Sequence, residues 1–311
     1  MRRREFISSG AALGMMSALP AGTAEVNRFE LGIITDEVSQ DFEHALLWAK
    51  GFGLRWVELR FLWNKYVIDL PADDVKRAKD LLAQHELKVS VVDSPYFKTL
   101  LPGTQSKFDT GKSDPLQSDF GAQKGILEKA LQRAKDFGTD KVRIFAFLRV
   151  DQPMSVFDRV AKELEGTAAI AQREGMRLLL ENEFSCNVAT GAESAAMLNL
   201  VKSPSLGLNW DPGNAYTAGE TPFPNGYEPL GKKRIWHMHL KDAATNPKGG
   251  EAIWEPIGGG KIDYVGQFRA LIQDGYQGTM SLETHYLNAA KNKEASSRES
   301  MEGLLKVIRE A

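Results

Sequence analysis

Short apolar runs that end in a polar group recur along the chain, and the last four share one design. They are MRLLLENE (176–183), LGLNWDPGN (206–214), IWHMHLKD (235–242) and TMSLETH (279–285). Side chains alternate between the faces of a strand, so residues two apart point the same way. Arg177, Leu179 and Glu181 therefore share a face, as do Gly207, Asn209 and Asp211, then Ile235, His237, His239 and Lys241, and finally Thr279, Ser281 and Glu283. Parallel strands with apolar bodies and polar C-terminal ends predict a (β/α)8 TIM barrel with its site at that end.

The rest of the chain fits that architecture. Alternation and apolar runs predict strands near Phe29–Thr35, Trp56–Arg60, Leu87–Asp93, Lys141–Phe147, Arg177–Glu181, Leu206–Asp211, Ile235–Lys241 and Gly278–Glu283. Helical patterns lie between them, such as Asp41–Gly51, Asp73–His85, Lys124–Phe137 and Val156–Glu174. Several end in a glycine-containing turn, FGLRW, FGTDKV, REGMRL or DGYQGT, where glycine stops the helix. Longer loops follow the third, sixth and seventh strands, at Tyr96–Gln123, Ala215–Leu230 and Ala243–Lys261, and are expected to form the walls and lids of the site. The glycine run before Lys261 reads as a chain bend, with phosphate binding as the minor reading.

The opening residues change the picture of where the domain starts. Arg3 and Arg4, one intervening residue, then Phe6 and Ile7 fit a twin-arginine signal, followed by a weakly apolar stretch and the small residues Gly22-Thr-Ala24. Residues 1–24 are thus expected to be an export signal and 25–311 one barrel domain. The expected location is the periplasm or another exported site, with the twin-arginine (Tat) export machinery as a partner. That route carries folded proteins, so a metal can be loaded before export. The stretch is too short and too rich in Gly and Ala to span a membrane.

Composition narrows the function. Charged residues make up 26% of the 311, with 39 basic against 41 acidic, and the pI is about 6.3, so no basic footprint for nucleic acid exists. Cys186 is the one cysteine, so no intrachain disulfide can form, and it reads as a small residue near the site.

Glu181, Asp211, His239 and Glu283, one from each strand end, form a hard, oxygen-rich ligand set. It suits Mn²⁺, Mg²⁺ or Co²⁺ better than a structural zinc, with Zn²⁺ on His and carboxylates also possible. Four ligands leave positions open for a substrate, as a Lewis-acid site requires. His237 lies about 7 Å deeper on the same face as His239; it can ligate, touch substrate or pack. Lys241 and His285 stand one step further out, where a lysine can hold a hydroxyl or oxyanion. Glu58 and Arg60, with Arg143 or Arg149, can bind hydroxyls or orient a base; a buried ion pair closing a barrel layer is an equal reading. Glu183 is a further acid or base, and Asn182 faces away from the axis. Trp254 and other loop aromatics, among them Trp63, Tyr66, Tyr96, Phe97 and Tyr216, can stack on sugar or bury a subunit contact. The oligomeric state stays open.

The mature chain resembles the sugar phosphate isomerase/epimerase family of xylose-isomerase-like barrels. The resemblance rests on Leu180-Glu-Asn-Glu183, Asn209-Trp-Asp-Pro-Gly-Asn214, His237-Met-His-Leu-Lys-Asp242, Gly258-Gly-Gly-Lys-Ile-Asp263 and Leu282-Glu-Thr284. It implies a divalent metal, usually manganese, on Glu181, Asp211, His239 and Glu283, with Glu181 and Glu283 moving the substrate proton. Two departures stand out: Asn214 where the family often has histidine, and Lys241-Asp242 where a ketose-holding arginine is common. The implied substrate is a small carbohydrate, and export favours an unphosphorylated keto-sugar, inosose or 3-keto-glycoside. Isomerase or epimerase chemistry is the first reading; a lyase of the same fold and a non-catalytic carbohydrate-binding barrel are the alternatives.

Overall fold

The computed structural model describes residues 28–110 and 117–311. The expected export signal and the boundary at residue 24 lie outside the described residues. Eight parallel strands form the core: β1 (Glu30–Ile33), β2 (Trp56–Leu59), β3 (Lys88–Asp93), β4 (Lys141–Ile144), β5 (Arg177–Glu181), β6 (Leu206–Trp210), β7 (Ile235–Leu240) and β8 (Thr279–Leu282). They neighbour one another in the order β1-β8-β7-β6-β5-β4-β3-β2, and a parallel bridge between Ile34 and Glu58 joins the two ends, so the sheet closes on itself. A closed sheet has no unpaired edge.

The helices α1 (Phe42–Gly51), α2 (Ala72–Gln84), α3 (Gln123–Asp136), α4 (Phe157–Arg173), α5 (Gly191–Leu200), α6 (Pro212–Thr217), α7 (Tyr264–Gln273) and α8 (Lys293–Glu310) alternate with the strands. Local chemistry starts them. Asp41, Asp263 and Asn292 accept from backbone N–H groups in the first turns of α1, α7 and α8, and Thr190 with Glu193 forms a reciprocal cap on α5. The expected turns are present: Gly53, Gly138, Gly175 and Gly275 all have φ between 66° and 72°, the left-handed conformation that ends a helix without a side-chain clash.

The two faces of the strands differ in chemistry. Leu178, Leu180, Leu208, Trp210, Met238, Leu240, Met280 and Leu282 are fully buried in the apolar layer between sheet and helices. The inward residues Glu58, Arg143, Asn209, His237, His239 and Ser281 are equally buried but polar. A barrel interior is normally filled by branched apolar side chains, so this polar column already marks the axis.

One expected irregular segment is ordered. The loop after β7 folds as a hairpin pairing Asp242–Ala244 with Ile253–Glu255. A smaller hairpin, Phe61–Leu62 with Lys65–Tyr66, follows β2. β4 stops at Ile144, short of the expected Phe147, because the chain turns there and Phe147 has φ 59°.

Asn187 fastens the turn after β4 to the one after β5. Its amide donates to the carbonyls of Ala146 (3.1 Å), Phe147 (3.3 Å) and Leu148 (3.0 Å), and its oxygen accepts from Val150 N (3.0 Å). Asn187→Ala should destabilise the protein by about 2–4 kcal/mol in urea unfolding, because buried carbonyls lose their donor. A loss below about 0.5 kcal/mol would show that water satisfies these carbonyls equally well.

Candidate metal centre

Glu181 ends β5, Asp211 and Glu283 directly follow β6 and β8, and His239 lies near the end of β7. The barrel brings one donor atom from each to within 4.8 Å of the others. His239 Nδ1 faces Glu181 Oε1 at 3.2 Å, Glu283 Oε2 at 3.3 Å and Asp211 Oδ2 at 3.9 Å. All four residues are at most 5% exposed.

Surrounding residues fix each ligand. Asn182 clamps the Asp211 backbone, donating to its carbonyl (2.8 Å) and accepting from its N–H (2.7 Å). Asn214 donates to Glu181, Asp211 and Glu183, each at 3.1 Å. Glu183 also accepts from Ser185. Arg143 reaches Glu181 Oε2 at 3.3 Å and Asp93 at 2.9 Å. Arg60 binds Glu283 Oε1 at 2.8 Å, Asp36 at 2.9 Å, and Glu37.

Glu58 and His237, read either as substrate-binding or as packed inside the barrel, take the second arrangement. Both are completely buried. Glu58 receives the other nitrogen of His239, Nε2, at 2.9 Å and His237 Nε2 at 2.9 Å, while His237 Nδ1 bonds Thr279 Oγ1 at 2.7 Å. With both ring nitrogens engaged, His237 supports Glu58, and Glu58 orients His239 so that Nδ1 points into the cluster. Trp254 stands on the hairpin after β7, edge-on to His285 at 4.9 Å. His285 is 32% exposed and 3.4 Å from Glu283. These two, with Lys241, occupy the outer side of the centre.

Charge follows from this geometry. Burial alone raises a carboxyl, but His239 and Arg143 outweigh it at Glu181 and bring it to about 2. Glu58 is held well below the usual range against burial by His239 and His237, and Glu283 likewise by Lys241, His285 and His239. Asp211 goes the other way: burial, with Glu283 and Glu181 nearby, raises it to about 6 despite Lys241. Burial opposes a charged His239, yet Glu58, Glu181 and Glu283 raise it well above the imidazole range. One imidazole and three converging carboxylates fit a hard divalent cation, which needs several oxygen donors in place of its water. The same carboxylates close together without a cation repel one another.

Sequence reasoning missed Asp36 and Glu37, the buried acids just beyond β1 that hold Arg60. Their signal was two consecutive acids at the end of the first apolar run. The glycine run before Lys261 is explained differently from either earlier reading alone. Its N–H groups at Gly258, Gly260 and Ile262 bind the chain's own Asp242 carboxylate, at 3.0, 3.0 and 3.3 Å. A Cβ on Gly260 would lie 2.1 Å from Asp242 Oδ1, which is why glycine stands there. Cys186 is fully buried, and burial pushes its thiol up to about 12, so it is not a reactive thiolate.

Residues 46–307 match the profile of the xylose isomerase-like TIM barrel family, and the chain belongs to that family. An uncharacterized protein of Methanocaldococcus jannaschii is 30% identical over 144 residues, covering 45% of this chain and 47% of its own length; the match thus spans about half of that relative. Three solved structures share the fold. The probable 3-DHS dehydratase AsbF of Bacillus anthracis aligns with TM-score 0.66 and 18% identity over 87% of this chain and 98% of its own. D-allulose 3-epimerase from Methylomonas sp., in complex with D-allulose, gives 0.63 and 18% over 90% and 97%. The 3-keto-D-glucoside 4-epimerase YcjR of E. coli gives 0.64 and 15% over 90% and 99%. Among the described residues, no helix is long and apolar enough to cross a membrane.

The Glu181 shift carries a sign that can be measured on metal-free protein. Its folded value lies below the ordinary 4.5, so its ionic contacts contribute stability above 4.5 that is lost as pH falls towards 2. The stability gap between wild type and Glu181→Gln should therefore be widest above pH 4.5 and narrow steadily below it, read from urea midpoints. A gap that stays constant with pH would mean Glu181 is not ionised by these partners.

Proposed function

We propose that the protein is a divalent-metal-dependent sugar isomerase or epimerase acting on an unphosphorylated keto-sugar, by moving the proton on the carbon next to the carbonyl. The observation that carries this reading is the convergence of Glu181, Asp211 and Glu283 on His239 Nδ1 at the C-terminal end of the barrel. These four would hold the ion, with Mn²⁺ best suited to the donor set. A divalent ion there supplies Lewis-acid polarisation of a carbonyl, which acidifies the neighbouring C–H.

The chain's own groups do the rest. Glu181 and Glu283 come from β5 and β8, with β6 and β7 between them, and so approach the centre from opposite sides. Both are ionised at neutral pH, so either can take a proton. A proton removed by one carboxylate and returned on the opposite face inverts the carbon; one returned to the neighbouring carbon isomerises the sugar. Arg60 holds the outer oxygen of Glu283, leaving Oε2 turned inward. Trp254 offers an aromatic face to a sugar ring.

Two features support an unphosphorylated substrate. The glycine-rich N–H cradle is filled by Asp242, and Arg149 near the mouth is paired with Glu193 at 2.7 Å. The twin-arginine opening agrees, and we propose export to the periplasm, where sugar phosphates are scarce. A β-eliminating lyase is the second reading. It is favoured by His285, a partly exposed imidazole beside Glu283, placed to protonate a leaving oxygen.

The test is proton NMR of Mn²⁺-loaded protein in D₂O with ketohexoses, inososes and 3-keto-glucosides. Deuterium beside the carbonyl with a new epimer or isomer is expected; deuterium with a released aglycone or water selects the lyase. Sugar affinity without exchange would leave a carbohydrate-binding barrel. Chelation should stop the exchange and added Mn²⁺ restore it. Glu283→Gln should lower turnover by about 10²–10⁴-fold while metal analysis still finds the ion, since an amide oxygen can remain a ligand.

A further inference from the structure

Lys241 lies two positions beyond His239, on the same face of the chain. Its side chain is 2% exposed, with Nζ 2.7 Å from Asp211 Oδ2 and also donating to Glu283 Oε2. Those are the oxygens that face His239 Nδ1. The two arginines that reach the ligand carboxylates behave differently. Arg60 takes Glu283 Oε1 and Arg143 takes Glu181 Oε2, the oxygens turned away from His239 Nδ1. Both are compatible with an ion at the centre, whereas the lysine holds the very lone pairs an ion needs.

Resting on the metal-centre reading above, we propose that Lys241 is an internal counter-ion: its ammonium occupies Asp211 and Glu283 in the metal-free protein and leaves them when a divalent ion enters. An ammonium and a divalent ion that compete for the same lone pairs in a buried site repel each other, so each weakens the other's hold. The fold has made room for this side chain, because a Cβ on Gly213 would lie 2.4 Å from Lys241 Cγ. It also provides a place to go. The Trp254 ring lies 5.6 Å from Nζ on the outer side of the centre, where a displaced ammonium keeps a cation–π contact and meets the substrate's oxygens. Metal loading thereby moves a positive charge from the ligand set to the substrate side, so the metal-free protein stays stable while the loaded one gains a cation for binding.

The experiment is calorimetric titration of chelator-stripped wild type and Lys241→Met with Mn²⁺. The variant should bind about tenfold or more tightly, because the ammonium no longer competes for Asp211 and Glu283. Should the stripped variant fail to fold, wild type alone decides: labelling of Lys241 by an amine-reactive reagent, read by peptide mass spectrometry, should rise when Mn²⁺ is added and fall again on chelation. Equal or weaker binding by the variant, or labelling indifferent to Mn²⁺, overturns the counter-ion role and leaves the metal centre standing. Failure of both proteins to bind Mn²⁺ overturns both.

Discussion

The bond between Glu58 and His239 is the constraint on which the centre depends. A histidine ring carries two nitrogens, and the partner of one decides where the other points. Glu58 takes Nε2, so Nδ1 is turned to the three carboxylates. Glu58 is in turn held by His237, and His237 by Thr279 on β8. This column ties β2, β7 and β8 together through the barrel interior. Unpaired charges could not be buried there at tolerable cost.

Burial makes the arrangement all or none. A carboxylate withdrawn from water stays ionised only if cations or donors replace the lost solvation. Each ligand has such a partner: Arg143 for Glu181, Arg60 for Glu283, and Lys241 with Asn214 for Asp211. Arg60 is itself neutralised by Asp36 and Glu37, while Arg143 is held at 2.9 Å by Asp93, whose carboxyl burial raises to about 8. Rigid placement of groups before substrate arrives is what a proton-transfer site needs, since misplacement by an ångström costs orders of magnitude in rate.

The eight strands were legible because each is buried on both faces and reads as a short apolar run closed by a polar residue. β5 to β8 showed this most clearly, and with them Glu181, Asp211, His239 and Glu283. Depth was legible at His237 but not around β2. Alternation put Trp56, Glu58 and Arg60 on one face, but the β2–β3 register slips between Val57 and Leu59, so spacing alone could not say that Glu58 reaches the imidazoles while Arg60 reaches Glu283. The acids Asp36 and Glu37 belong to a short 3₁₀ turn after β1, outside any periodic pattern. Asp242 in its cradle of glycine N–H groups was hidden for another reason: its partners lie 16 to 20 residues away, across a hairpin.

The proposed proton removal cannot by itself choose among epimerisation, isomerisation and elimination, because all three would begin with it. The choice lies with the groups that face the next carbon and its oxygen. In this chain Phe108 and Phe184, from the loops after β3 and β5, meet edge to face at 6.0 Å beside Lys107, Arg149 and Glu251 around a cavity of about 300 Å³. His285 stands 3.4 Å from Glu283. A barrel can therefore keep one metal centre and change its reaction by exchanging loops. The four residues of the cluster sit on strand ends, while those around that cavity sit on loops, the part of a fold that varies most among relatives.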